Sequence, residues 1–199
     1  YGMSETGINT SNPLNGVRKP GSVGLPLPGV AMRIVDPTGK DVKPGEVGEV
    51  LIKGKNVFQG YWQMPDKTAE SFIDDWFKTG DLGYQDSDGY LFLVGRSKDL
   101  IISGGMNVYP KEIEALLETN PAVLEAAVIG VPDDDLGERV VAVVVPKPGQ
   151  TIDLTALTAL CQAKLAGYKR PKNIYEIEAL PRNTMGKVMK SHLRSKYKV

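Results

Sequence analysis

Cysteine and histidine each occur once in these 199 residues. One cysteine excludes an internal disulfide, and one histidine beside it leaves too few soft ligands for a zinc site. Cys161 falls on the apolar side of a predicted helix and reads as a small buried hydrophobe. His192 stands between Lys190 and Arg194 and is expected to be exposed. No apolar run approaches the ~20 residues that cross a bilayer, and no signal-peptide pattern is read. A cytoplasmic protein is expected. The formal net charge is zero, which gives no support for nucleic acid as a partner. The basic residues from Lys169 onward (Arg170, Lys172, Arg182, Lys187, Lys190, Arg194, Lys196 and Lys198 among them) read mostly as a solvated face, with Lys187 the exception.

The composition is 41% hydrophobic, enough to pack one ordinary domain or two small ones. From Gly24 to Arg96 the pattern is short strands between tight turns. Val30–Val35, Val47–Ile52 and Tyr90–Val94 are rich in β-branched or aromatic residues. Pro37-Thr38-Gly39, Lys43-Pro44-Gly45 and Asp86-Ser87-Asp88-Gly89 supply turns. A short helix is predicted over Met64–Phe72, and Trp76 and Phe77 read as core. This spacing of strands suggests a small barrel or sandwich.

After Lys98 the pattern changes. Pro110 suits the first turn of a helix carrying Ile113, Leu116 and Leu117 on one face. Val123–Ile129 and Val140–Val145 are strand candidates, the second almost all valine and therefore central. A second helix holds Leu154, Leu157, Leu160, Cys161 and Leu165 on one face. Ile174–Ile177 is a short strand and Lys187–Tyr197 a last helix. The fold class expected is α+β. A β-rich, barrel-like part over 1–97 is followed by a compact α+β part over 98–199.

Three motifs stand in order: YGMSET at Tyr1–Thr6, GRSKDLIISGGMNVYPKEIE at Gly95–Glu114, and PRNTMGK at Pro181–Lys187. Together they resemble the adenylate-forming ligases, the superfamily of acyl-CoA synthetases, peptide-synthetase adenylation domains and luciferases. The resemblance covers essentially the whole chain. It implies the end of a large N-terminal domain, mostly its β-barrel subdomain, followed by a small mobile lid domain. It also implies a C-terminal piece of a longer protein. The phosphate loop and most of the acyl pocket would lie upstream, so that this piece alone would be inactive.

The activity implied has two halves. A carboxylate attacks the α-phosphate of ATP, giving acyl-AMP and pyrophosphate. A thiol, usually that of coenzyme A, then displaces AMP. Such chemistry needs positioning and charge neutralisation more than covalent help. By resemblance, Glu5 helps hold Mg²⁺, a hard ion content with one or two carboxylates plus phosphate and water oxygens. Ser4 contacts phosphate and Tyr1 packs against adenine. Asp81, in Thr79-Gly80-Asp81, holds the ribose hydroxyls, and the rigid guanidinium fork of Arg96 serves the ribose and phosphate region.

The same resemblance implies roles for three further residues. Lys98 would occupy the hinge about which the small domain rotates between half-reactions. Gly105, in the Ser103-Gly104-Gly105 turn, lines the pantetheine channel, although a plain tight turn would also explain its glycines. Lys187 reaches the substrate carboxylate and α-phosphate during adenylation. Its Gly-Lys pair is not a P-loop, because the upstream glycine and following Ser/Thr are missing. In the family this lysine is also acetylated, so an acetyltransferase and deacetylase are implied partners, and acetylation would remove the charge.

The stretches PGSVGLPLPGV, NVYPKEIE and LPRNTMGK look most like malonyl-CoA synthetases, so a small carboxylic acid is the expected substrate. Medium-chain and aryl acids stay open. So do two other readings, an adenylation enzyme that loads a carrier protein and a non-catalytic module of the same fold.

Overall fold

A computed structural model describes residues 1–198. The chain divides after Lys98 into two compact units.

The first unit is built on an open, all-antiparallel five-stranded sheet. Val30–Val35 pairs with Gly48–Gly54, which pairs with Trp76–Gln85. Both Phe72–Ile73 and Leu91–Arg96 then pair with Trp76–Gln85. The barrel-like part expected from strand spacing is thus a sheet with no closure among the described residues. Two short ladders flank it, Gly2–Met3 with Gly7–Ile8 and Thr10–Ser11 with Leu25–Pro26. Ile34, Val50, Ile52 and Leu91 form the buried core, with Tyr1, Val23 and Leu93 packed against it. Helix α1, Pro65–Glu70, is shorter than the predicted Met64–Phe72 and starts with proline in its first turn. Phe77 is buried, as expected. Trp76 is only half-buried, with the Arg33 guanidinium 5.3 Å from its ring centre.

The second unit carries a five-stranded sheet. Its order is Met106–Val108, Ile101–Ser103, Gly137–Pro146, Val123–Asp133, with Asn173–Glu176 pairing parallel to Gly137–Pro146. The valine-rich strand is central because both its faces are covered. Val140, Ala142 and Val144 pack under α2 (Pro110–Leu117) and α3 (Leu154–Lys164) with Ile113, Leu117, Leu157 and Cys161. Val141, Val143 and Val145 pack on the opposite face with Leu180 and, from α4 (Lys190–Tyr197), Leu193. This period-two split of a continuous apolar run is the pattern of a strand buried on both sides. Cys161 is buried, and that burial pushes its thiol up from the ordinary value.

Helix α3 is capped by Asp153, whose Oδ1 accepts from the Thr155 and Ala156 amides at 2.9 and 3.1 Å. Asp153→Ala is expected to cost about 1 kcal/mol, because these amides lose their partner. A shift of the urea midpoint at unchanged slope checks it.

The last helix begins at Lys190 and not at Lys187. Residues 183–187 form a turn instead, in which Asn183 Oδ1 accepts from the Met185 and Lys187 amides. An isolated bridge between Arg182 and Val188 closes it. The basic tail is also more than a solvated face. Lys169 pairs with Glu112, Arg182 with Glu125, Lys190 with Glu114 and Arg194 with Asp99. Arg170 donates to the carbonyls of Leu165 and Gln162. Glu114 is itself buried and also accepts from the Val128 amide at 3.0 Å. The Lys190 ammonium, 2.6 Å away, is its counter-charge and joins the start of α4 to α2.

Candidate functional site

In the first unit the sheet register assembles a three-residue cluster. Asp81 and Arg96 lie directly opposite each other on the paired strands Trp76–Gln85 and Leu91–Arg96. Their side chains meet on one face, with Arg96 Nε 3.0 Å from Asp81 Oδ1. Tyr1 completes the group, its hydroxyl donating to Asp81 Oδ2 at 2.6 Å. Asp81 is oriented from behind by Thr79. The Thr79 hydroxyl donates to the Val50 carbonyl at 2.7 Å and accepts from the Asp81 amide at 3.1 Å.

The Asp81 side chain is 9% exposed and that of Arg96 is 45% exposed. The carboxylate is therefore fixed and largely dry, while the guanidinium reaches solvent. Burial first, and the Asp81 carboxylate second, push the Tyr1 phenol well above its ordinary value. The phenol stays protonated and acts as a donor. Each Asp81 oxygen holds one donor and keeps a second lone pair. A vicinal diol could be accepted without breaking either existing contact.

Glu5 is held by a different part of the chain. The Phe58 amide donates to the Glu5 carbonyl at 2.8 Å, and the Tyr61 hydroxyl donates to Glu5 Oε1 at 3.1 Å. Burial and then this contact raise the Tyr61 phenol above its ordinary value. Tyr61 packs edge-on against Phe58 and has the Lys67 ammonium 4.2 Å from its ring centre. Tyr61 was not legible as a site residue, because it lies 56 residues from Glu5 and in no motif that names a carboxylate partner. Ser4 is exposed beside Glu5. No group of three or more potential metal ligands occurs among the described residues. A single half-buried carboxylate fits a Mg²⁺ ion that keeps water and phosphate oxygens, and does not fit an all-protein cage.

Lys98 is exposed in the 3₁₀ turn Ser97–Asp99 and is the last residue of the first unit. Its neighbours are each anchored within their own unit. The Ser97 hydroxyl donates to the Gly80 carbonyl at 3.2 Å, and Asp99 pairs with Arg194 at 3.0 Å.

In the second unit, Gly105 sits at the tip of the hairpin joining Ile101–Ser103 to Met106–Val108, with φ +76°. A Cβ placed there would meet no atom within 4 Å. Lys187 is exposed at the end of the Asn183 turn, its backbone carbonyl accepting from the Asn183 amide at 2.9 Å. The Arg182 guanidinium braces the turn from its base by donating to the Gly186 carbonyl at 2.7 Å. No helix of the described residues is long and apolar enough to cross a membrane.

Residues 1–62 match the AMP-binding enzyme family, and residues 112–187 match the AMP-binding enzyme C-terminal domain. The second match ends on Lys187. Among similar proteins, an indoleacetate–CoA ligase from Aromatoleum aromaticum is 45% identical over 98% of this chain and 38% of its own length. A sulfoacetate–CoA ligase from Cupriavidus necator is 46% identical over 96% of this chain and 38% of its own. The structure of ATP-bound MatB from Rhodopseudomonas palustris superposes with a TM-score of 0.94. It is 53% identical and covers all of this chain, which spans 40% of it. The chain thus spans about two fifths of the length of the proteins it matches. It belongs to the AMP-binding enzyme family, and the two ligases named above are acid–CoA ligases.

Proposed function

We propose that this chain is the C-terminal portion of an ATP-dependent acid–CoA ligase, and that the acid is malonate. The observation that carries the ligase reading is the Tyr1–Asp81–Arg96 cluster. It offers a buried, oriented carboxylate to a diol and a solvent-reaching guanidinium beside it, which is what a nucleotide ribose and its phosphate need.

In the first half-reaction an oxygen of the acid attacks the α-phosphorus of ATP and pyrophosphate leaves. Asp81 holds the ribose hydroxyls, Arg96 faces the ribose and phosphate side, and Tyr1 supplies the ring against which adenine packs. Ser4 contacts phosphate. Glu5, oriented by Tyr61, would hold Mg²⁺, which would offset charge on the phosphates. Lys187 brings an ammonium to the acid and the α-phosphate. In the second half-reaction the thiol sulfur of coenzyme A attacks the acyl carbonyl carbon and AMP leaves. Gly105 borders the path of the pantetheine arm. Lys98 lies between two anchored residues and is the position about which the second unit turns.

Malonate rests on the resemblance in the stretches quoted above. The relatives named act on acids as different as indoleacetate and sulfoacetate at nearly equal identity to this chain, so that identity does not choose among acids. The test is AMP release by the complete gene product with ATP, Mg²⁺, coenzyme A and a panel of malonate, methylmalonate, acetate, octanoate and benzoate. Malonate-selective release is expected, with no turnover by residues 1–199 alone. Release with another acid discards malonate and keeps the ligase. No AMP from any acid favours the non-catalytic module.

A further inference from the structure

The hairpin that carries Gly104 and Gly105 is anchored at its base and open at its tip. Its strands have three residues each, and only Ser103, opposite Gly137, pairs with the rest of the sheet. Ile101 and Val108 bury the base of the hairpin in the core, while Ile102 and Met106 toward the tip are exposed, so packing holds the base and contributes little at the turn. What fixes the tip is the end of the neighbouring hairpin between Val123–Asp133 and Gly137–Pro146. The Leu136 carbonyl accepts from the Gly104 amide at 2.8 Å. The Glu138 carboxylate accepts from the Ile102 amide at 2.8 Å, taking through its side chain a donor that the strand pairing leaves open. The loop supplying these acceptors is set in turn by Asp133, whose Oδ1 accepts from the Asp135 and Leu136 amides at 3.2 and 3.1 Å.

The other side of the Glu138 carboxylate lies over Gly130. A Cβ at Gly130 would stand 2.7 Å from Glu138 Oε1 and 3.0 Å from Ile101 Cγ2. Glycine at 130 therefore keeps open the slot that lets the carboxylate reach the Ile102 amide. An ionised acceptor in such a slot makes a shorter and stronger bond than a neutral one.

We propose that Glu138 is a positioning residue for the thiol half-reaction, setting the height of the Gly104-Gly105 turn against the incoming thiol substrate. The proposal rests on the reading of that turn as the border of the coenzyme A path. Glu138 touches no substrate in this role, and acts through the Ile102 amide.

The test uses the complete gene product with Glu138→Ala, Glu138→Gln and Gly130→Ala. Pyrophosphate exchange reads adenylation, and thioester formation from supplied acyl-AMP reads the second step. Glu138→Ala should raise the KM for coenzyme A about tenfold while exchange stays within about twofold, since a misplaced border weakens one substrate only. Glu138→Gln should recover most of the loss, its amide oxygen still accepting from Ile102. Gly130→Ala should reproduce the Glu138→Ala pattern by pushing the carboxylate away, which serves if Glu138→Ala fails to fold. An unchanged KM in Glu138→Ala, or equal loss of both half-reactions in it and in Gly130→Ala, overturns the proposal. Gly105→Leu run in parallel separates the two levels. If it also leaves coenzyme A kinetics untouched, the channel reading itself fails. If it impairs them while Glu138→Ala does not, only the positioning role fails.

Discussion

Lys187→Ala in the complete gene product should slow adenylation by about a thousandfold, near 4 kcal/mol of transition-state stabilisation. Thioester formation from supplied acyl-AMP should stay within a few-fold of the parent. The physical basis is that charge develops on the phosphoryl oxygens only in the first half-reaction, so an ammonium aimed at them is worth most there. The turn carrying Lys187 suits this use. Its backbone is fixed by Asn183 from both sides, with Oδ1 taking the Lys187 amide at 2.9 Å and the Asn183 amide reaching the Lys187 carbonyl at 2.9 Å. Arg182 joins the base of the turn to Glu125 on the central sheet. The side chain beyond that frame is exposed. Truncating an exposed side chain on a fixed backbone changes stability by no more than about 0.5 kcal/mol. Loss of adenylation with an unchanged unfolding midpoint is then a loss of chemistry. Equal loss of both half-reactions would remove Lys187 from its place in the first step alone.

What could be read from the chain depended on whether a signal was local. The valine run at 140–145, the proline-started helix at Pro110 and the apolar face through Leu157 and Cys161 are local patterns, and each forms the element its pattern dictates. The strand Trp76–Gln85 was missed for the same reason. Its Thr79-Gly80-Asp81 and Gly83 look like a turn, and the strand exists because Thr79 bonds the Val50 carbonyl and because irregular pairing on both sides absorbs the glycines. The start of the last helix at Lys190 and not at Lys187 is illegible in PRNTMGK, which gives no warning that Asn183 captures two amides within four residues. Asp81 and Arg96 were each legible in a motif, but their contact was not. It follows from a cross-strand register that no single segment encodes. Tyr61 and Glu138 were invisible for a related reason. Each is defined by a partner 56 or 36 residues away and offers a common side chain in an ordinary setting.

Gly105→Leu should show the opposite selectivity to Lys187→Ala, with thioester formation falling about a hundredfold and adenylation little changed. The size dependence of the effect is what makes it informative. Any L residue at Gly105 must adopt φ +76°, which costs roughly 1–2 kcal/mol whatever its side chain. Nothing in the chain stands within 4 Å of a Cβ at this position, so the first side-chain atom meets no obstruction from the protein. Gly105→Ala and Gly105→Leu should therefore lose similar stability. If the space above the turn is where the pantetheine arm passes, leucine fills it and alanine mostly does not. The KM for coenzyme A should then rise much more in the leucine variant than in the alanine variant, while their unfolding midpoints agree. If both variants lose activity equally, the effect is backbone strain, and the glycines serve only the turn. If both keep normal coenzyme A kinetics, the thiol substrate does not pass this hairpin, and Ser103-Gly104-Gly105 is a tight turn and nothing more.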